Sequence, residues 1–202
     1  MNRKAMLALP VSLVLAASVA VAGGPLAIGS SMPSADVKMK NVDGTEMTLA
    51  QVKKPAGTLV VFTCNHCPFA KAWEARIVEL GNTYEAKGIG VVAVNANDPK
   101  VAAEDDFDGM QRRAKERGMQ FPYVVDATSN VARAFGATRT PEAFLFDKDG
   151  KLVYHGTIDD NGEEPSKVEK TYLKDALDAV ASGKEVAVKE TKSIGCGIKF
   201  RT

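Results

Sequence analysis

Residues 58–62, Thr-Leu-Val-Val-Phe, form a short, continuous, β-branched apolar run. A strand with water on one face alternates apolar and polar residues, so an unbroken run reads as a strand covered on both faces. That feature demands helices above and below a sheet. The residues that follow agree with it. From Phe69 the apolar positions change period, recurring as Phe69, Trp73, Ile77, Leu80 and Tyr84 as far as Lys87-Gly88, the spacing of a helix with a glycine stop. Residues 89–95, IGVVAVN, repeat the buried-strand signature.

The remaining segments extend the alternation. DVKMKNVDGTEMTL (36–49) alternates around an Asp43-Gly44 turn and predicts a β-hairpin. Residues 100–118 predict a charged helix ended by Gly118, 122–126 a third strand, 129–136 a short helix and 143–147 a fourth strand. Lys148-Asp149-Gly150 turns that strand into its partner at 151–156, and 167–183 reads as an amphipathic helix. The fold class expected is α/β: a central mixed β-sheet flanked by helices, with an added N-terminal β-hairpin.

Arg3 and Lys4 precede an apolar stretch from Leu7 to Val21, and Ala20-Val21-Ala22 fits a small-x-small cleavage site. Residues 1–22 therefore read as a signal peptide, with an uncleaved anchor as the alternative. The expected organisation continues with a linker at 23–34, one domain at 35–183 and a C-terminal tail at 184–202 that carries the third cysteine. Cleavage removes two of 26 bases and none of 25 acids, leaving a net charge of −1. That balance argues against nucleic acid as a partner and against stable membrane association after cleavage. A periplasmic or extracellular location is expected. Three cysteines are too few for a disulfide-stapled scaffold.

Cys64 and Cys67 stand at C-x-x-C spacing where the buried run meets the helix. A zinc site needs four ligands, for which Cys64, Cys67, Cys196 and one histidine are available. A structural disulfide closing so short a loop adds little, and a copper-handling pair would draw on His155. Redox exchange needs one exposed, thiolate-rich sulfur and a second that attacks back. A helix N-terminus beside Cys64 and the imidazole of His66 would both favour a thiolate there. Pro68 lacks an N–H, so either the first helical turn is irregular or the helix starts at Pro68. The dithiol reading is preferred, with no metal and no cofactor.

Buried strand, C-x-x-C, helix and a later Thr140-Pro141 opening a strand hairpin resemble the thioredoxin fold. The N-terminal hairpin, and FPYVVDATSNVARAFGATRTPEAFLFDKDGKLVYHGTIDD (121–160) in particular, resemble the TlpA/ResA and peroxiredoxin-like redoxin branch. The likeness spans roughly residues 33–182. It implies a thiol–disulfide oxidoreductase with Cys64 as nucleophile and Cys67 as resolving thiol, acting on protein thiols and disulfides and served by a redox partner protein. His66 before the second cysteine resembles the DsbA-type motif, implying a potential toward about −120 mV rather than about −270 mV. The resemblance also implies a cis Pro141 facing the dithiol and a Thr140 that offers backbone groups to an extended substrate. A peroxiredoxin-like thiol peroxidase and a copper-binding assembly factor stay open as alternatives.

Two departures bear on these readings. Peroxiredoxins carry a proline and a hydroxyl residue where this chain has Gly57 and Val61, and thioredoxin has a buried acid where it has Thr58. Trp73 and the Phe69 stripe are expected in the core, Glu104-Asp105-Asp106 on a solvated helix face, and His155 at a sheet edge. Cys196, between Gly195 and Gly197, is expected on a docked tail, either as an inert small hydrophobe or as a redox thiol able to bridge Cys64.

Overall fold

The computed structural model describes residues 24–202. The signal-peptide reading of residues 1–22 lies outside the described residues. Strands β1 (Met39–Asn41) and β2 (Glu46–Met47) form the expected N-terminal hairpin, followed by a short helix α1 (Leu49–Val52) that the sequence reading missed. Next come β3 (Gly57–Phe62), α2 (Pro68–Glu85), β4 (Ile89–Asn95), α3 (Phe107–Arg117), β5 (Tyr123–Val125), α4 (Asn130–Phe135), β6 (Arg139–Thr140), β7 (Glu142–Asp147), β8 (Leu152–Gly156), α5 (Tyr172–Ala181) and β9 (Cys196–Gly197). Seven strands make one sheet in the order β2-β1-β5-β4-β3-β7-β8. β3 pairs in parallel with β4, and β4 with β5, while the β7–β8 hairpin runs antiparallel beside β3.

The apolar run at 58–62 lies near the middle of this sheet, and its parity decides the layering. Leu59 and Val61 face a core with Trp73, Ile77 and Tyr84 of α2 and with Leu173 and Leu177 of α5. Val60 and Phe62 face the opposite core, with Leu49, Val131 and Phe135. Within that second core the Phe135 ring packs edge-on against Phe62 and Phe144, each at a centroid distance of 5.2 Å. Such aromatic pairs add specificity beyond buried area. Both layers converge on the C-terminal end of β3, where the cysteines begin.

Two sequence expectations shift, and the docked tail does not. The charged helix starts at Phe107, where Asp106 caps it by accepting from the Gly109 N–H; the residues before it form a loop with a 3-10 turn at Ala103–Asp105. The last helix starts at Tyr172 rather than 167. The tail is part of the fold, since Val186 and Ile198 are buried and β9 pairs with β6. Among the described residues, no helix is long and apolar enough to cross a membrane.

Candidate dithiol site

Cys64 and Cys67 occupy the loop between β3 and α2, and all three cysteines are free thiols. Cys67 is the N-cap of α2 and Pro68 its first residue, so the helix starts four residues beyond Cys64. Proline suits that position because its missing N–H has no partner in the first turn. This corrects the expected electrostatics: the helix N-terminus lies closest to Cys67, not Cys64.

The sulfurs meet at one residue. Cys64 Sγ and Thr140 Oγ1 are 3.2 Å apart, and Cys67 Sγ donates to the Thr140 carbonyl at 3.2 Å. The Thr140–Pro141 peptide is cis. Cys64 and Cys67 are both buried, with Cys196 half-buried against them. Contact between the two sulfurs lowers Cys67 and raises Cys64 strongly, with burial and Asp105 pushing Cys64 further up. Two features pull the shared proton in opposite directions. N–H groups of Ala70 and Cys196 favour charge on Cys67, whereas the Thr140 carbonyl favours a proton there. The reduced pair therefore loses one proton below the ordinary thiol range and holds the other above it, as a unit.

This has a spectroscopic consequence. At pH 6 an ordinary thiol with a pKa of about 8.5 is well under 1% ionised. The reduced protein should instead keep the 240 nm absorbance of one thiolate from pH 8 to pH 6. Removing either sulfur, as Cys64→Ser or Cys67→Ser, should abolish it. An absorbance that falls tenfold per unit below pH 8 in the parent protein would refute the shared proton.

The acidic run supplies the main correction. Asp105 is buried, not on a solvated helix face. Its Oδ1 accepts from the Asn65 N–H at 2.5 Å and from Asn95 Nδ2 at 3.1 Å. Its Oδ2 accepts from Asn97 Nδ2 at 2.8 Å and lies 2.7 Å from His66 Nδ1. Ligand atoms of Cys64, His66 and Asp105 all fall within 4.8 Å of one another. These three residues could hold a cation, but both Asp105 oxygens already receive N–H groups. His66 is tied to a carboxylate instead of standing free beside Cys64. Thus the buried acid missing at Thr58 comes from a distant loop. One signal pointed to it: Asn65, Asn95 and Asn97 end up buried at strand ends and need an acceptor.

Other residues fall as follows. Trp73 is buried and donates to Asp159, but Phe69 is 41% exposed, against expectation. Phe69 lines a cavity of about 390 Å³ beside the dithiol with Pro68, Trp73, Gly162 and Ile194. A helical stripe assigns a face, and this one outlasts the core at its N-terminal end. His155 lies on the edge strand β8 but is buried, 2.7 Å from Glu142 Oε1 and stacked on Phe144. It is engaged there rather than with the cysteines. Arg139 is exposed, with Nη1 donating to the Gly195 carbonyl at 3.3 Å.

Residues 28–155 match the AhpC/TSA family. The chain belongs to the AhpC/TSA family. Among curated relatives of this AhpC/TSA chain, the thiol-disulfide oxidoreductase ResA of Geobacillus thermodenitrificans is 29% identical over 135 residues, covering 66% of this chain and 72% of the relative. Its counterpart in Geobacillus kaustophilus is 28% identical over the same length. Among solved structures, an uncharacterized conserved protein from Geobacillus kaustophilus is 39% identical with a TM-score of 0.80, covering 87% of this chain and 93% of that one. A hypothetical protein from Sinorhizobium meliloti 1021 is 34% identical with the same TM-score, covering 89% and 97%. A thioredoxin-like protein in its oxidized form, at 21% identity and a TM-score of 0.60, shares the fold. The thioredoxin-like reading of the sequence therefore stands.

Proposed function

We propose that this chain is an exported thiol–disulfide oxidoreductase that exchanges disulfides with protein substrates through Cys64 and Cys67. The observation that carries this reading is the convergence of both sulfurs on Thr140, one at its hydroxyl and one at its carbonyl. The relatives named ResA support the same activity. Cys64 is the attacking sulfur: once it has given up its proton, its thiolate bonds to one sulfur of the substrate disulfide, and the other leaves as a thiolate. Cys67 then attacks Cys64, closing the Cys64–Cys67 disulfide and releasing the second substrate sulfur. The same steps reversed oxidise a substrate dithiol, and relative potentials set the direction. Asp105 and His66 stand where a proton leaving Cys64 can be taken up. The exposed Phe69 and Ile194 beside the dithiol give an unfolded or extended polypeptide an apolar surface to rest on.

The test is equilibration of the protein with glutathione buffers, alongside peroxide consumption on the same sample. A reversible two-electron Cys64–Cys67 couple is expected. Hydrogen peroxide should oxidise Cys64 more slowly than a disulfide does, because Gly57 and Val61 stand where peroxiredoxins carry a proline and a hydroxyl residue. Oxidation of Cys64 by stoichiometric peroxide faster than by disulfide would favour a peroxidase instead.

A further inference from the structure

The tail is fastened on both sides of Cys196. Upstream, the His155 N–H donates to the Lys189 carbonyl at 2.9 Å and the Thr191 N–H to the His155 carbonyl at 3.0 Å, while Ser193 donates to Glu142 Oε1 at 3.2 Å. Downstream, the Ile198 N–H donates to the Thr138 carbonyl at 3.0 Å and the Lys199 N–H to Asn97 Oδ1 at 2.7 Å. Between these anchors Cys196 pairs in register with Thr140, the residue that both dithiol sulfurs touch. Its side chain packs on the cluster of Cys64, Cys67 and Ala70. Cys67 Sγ touches the backbone carbonyl of Thr140, the residue paired with Cys196, whereas Cys64 Sγ touches the Thr140 hydroxyl, so Cys67 is the dithiol sulfur that adjoins the tail strand. Of the three residues, Cys196 is the most open to solvent.

We propose that Cys196 is a third redox thiol whose partner is Cys67, so that the site is a three-sulfur relay; this rests on the oxidoreductase reading above. Once the Cys64–Cys67 disulfide has formed, the Cys196 thiolate attacks Cys67. The Cys64–Cys67 bond breaks, the Cys67–Cys196 bond forms, and Cys64 leaves as a thiolate that takes up the proton Cys196 gave up. No electrons are gained or lost. Cys64 is free to meet another substrate while the disulfide waits at the more exposed sulfur. The reduced protein holds this step back. Burial and the neighbouring Cys67 push the Cys196 thiol up to about 11. When Cys67 enters a disulfide it no longer carries charge, and that part of the elevation disappears.

The experiment is oxidation of the full chain with one equivalent of diamide, acid quenching, alkylation and tryptic mapping. In the parent protein the peptide carrying Cys64 and Cys67 should appear both closed on itself and joined to residues 193–199. Cys64→Ser should form the Cys67–Cys196 bond within one chain, and Cys67→Ser should form no Cys64–Cys196 bond. A bond between Cys64 and Cys196 in Cys67→Ser, or Cys196 staying reduced in both the parent and Cys64→Ser, overturns the relay. If the parent forms no Cys64–Cys67 bond either, the oxidoreductase reading fails with it. If that bond forms normally, the relay alone has failed. Gly195→Ala guards against misfolding of the cysteine variants, because its methyl group would overlap the Thr140 carbonyl and push the tail away. It should lower the Cys67–Cys196 share at least about tenfold and spare the Cys64–Cys67 bond. An unchanged share would also overturn the proposal.

Discussion

Asp105→Ala should destabilise the protein by roughly 3–5 kcal/mol, the scale of breaking a buried charge-bearing network. For a chain of this size the melting temperature should fall by roughly 6–20 °C. The substitution leaves the Asn65 N–H, the Asn95 and Asn97 amides and His66 without their shared acceptor. Because Asn65 and His66 lie between the two cysteines, disulfide exchange should slow in the same variant even at temperatures where it stays folded. The neighbouring substitution is the control. Asp106→Ala removes a helix cap that accepts from Gly109, worth about 1 kcal/mol, and should leave exchange untouched. Equal melting temperatures for the two variants would show that the buried network contributes little.

Asp159→Ala is the second large effect. The Asp159 side chain is 5% exposed, accepts from Trp73 Nε1 at 2.7 Å and pairs with Arg76. Arg76 also donates to the Asn161 and Gly162 carbonyls, so this cluster shapes the loop that walls the cavity beside Phe69. Losing the carboxylate strands a half-buried cation and a buried indole N–H, at a cost of roughly 3–5 kcal/mol. Replacing both ion-pair partners, as Arg76→Met with Asp159→Leu, should recover part of that loss, since no unpaired charge is left. Urea unfolding measures both. A loss under about 1 kcal/mol for Asp159→Ala would place the loop's stability elsewhere.

The sequence was most readable where burial is continuous. The unbroken runs at 58–62 and 89–95 have one way to be covered on both faces, and they became the parallel centre of the sheet. Cys64, Cys67, Thr140 and Pro141 were legible because their spacing and order carry chemistry by themselves. Asp105 was not, because an acidic triplet normally faces water and its acceptor role depends on amides up to 40 residues away in the chain. The helix start was half legible: Pro68 signalled a boundary, but not that Cys67 would be the cap. The tail strand is two residues long, too short to leave a periodic pattern, and its position comes from tertiary hydrogen bonds.

The short β6–β9 pair has a consequence for motion. Amides in the middle of β3 and β4 exchange with solvent through global unfolding, whereas small peripheral ladders open locally at much lower free energy. The Ile198 N–H bonded to Thr138, and the amides of the β6–β9 ladder, should therefore exchange well before those of the central strands. Each such opening lifts Cys196 from Cys67 and uncovers the Thr140 backbone while the sheet stays intact. Hydrogen exchange at these few amides would thus time access to the sulfurs separately from the unfolding of the protein.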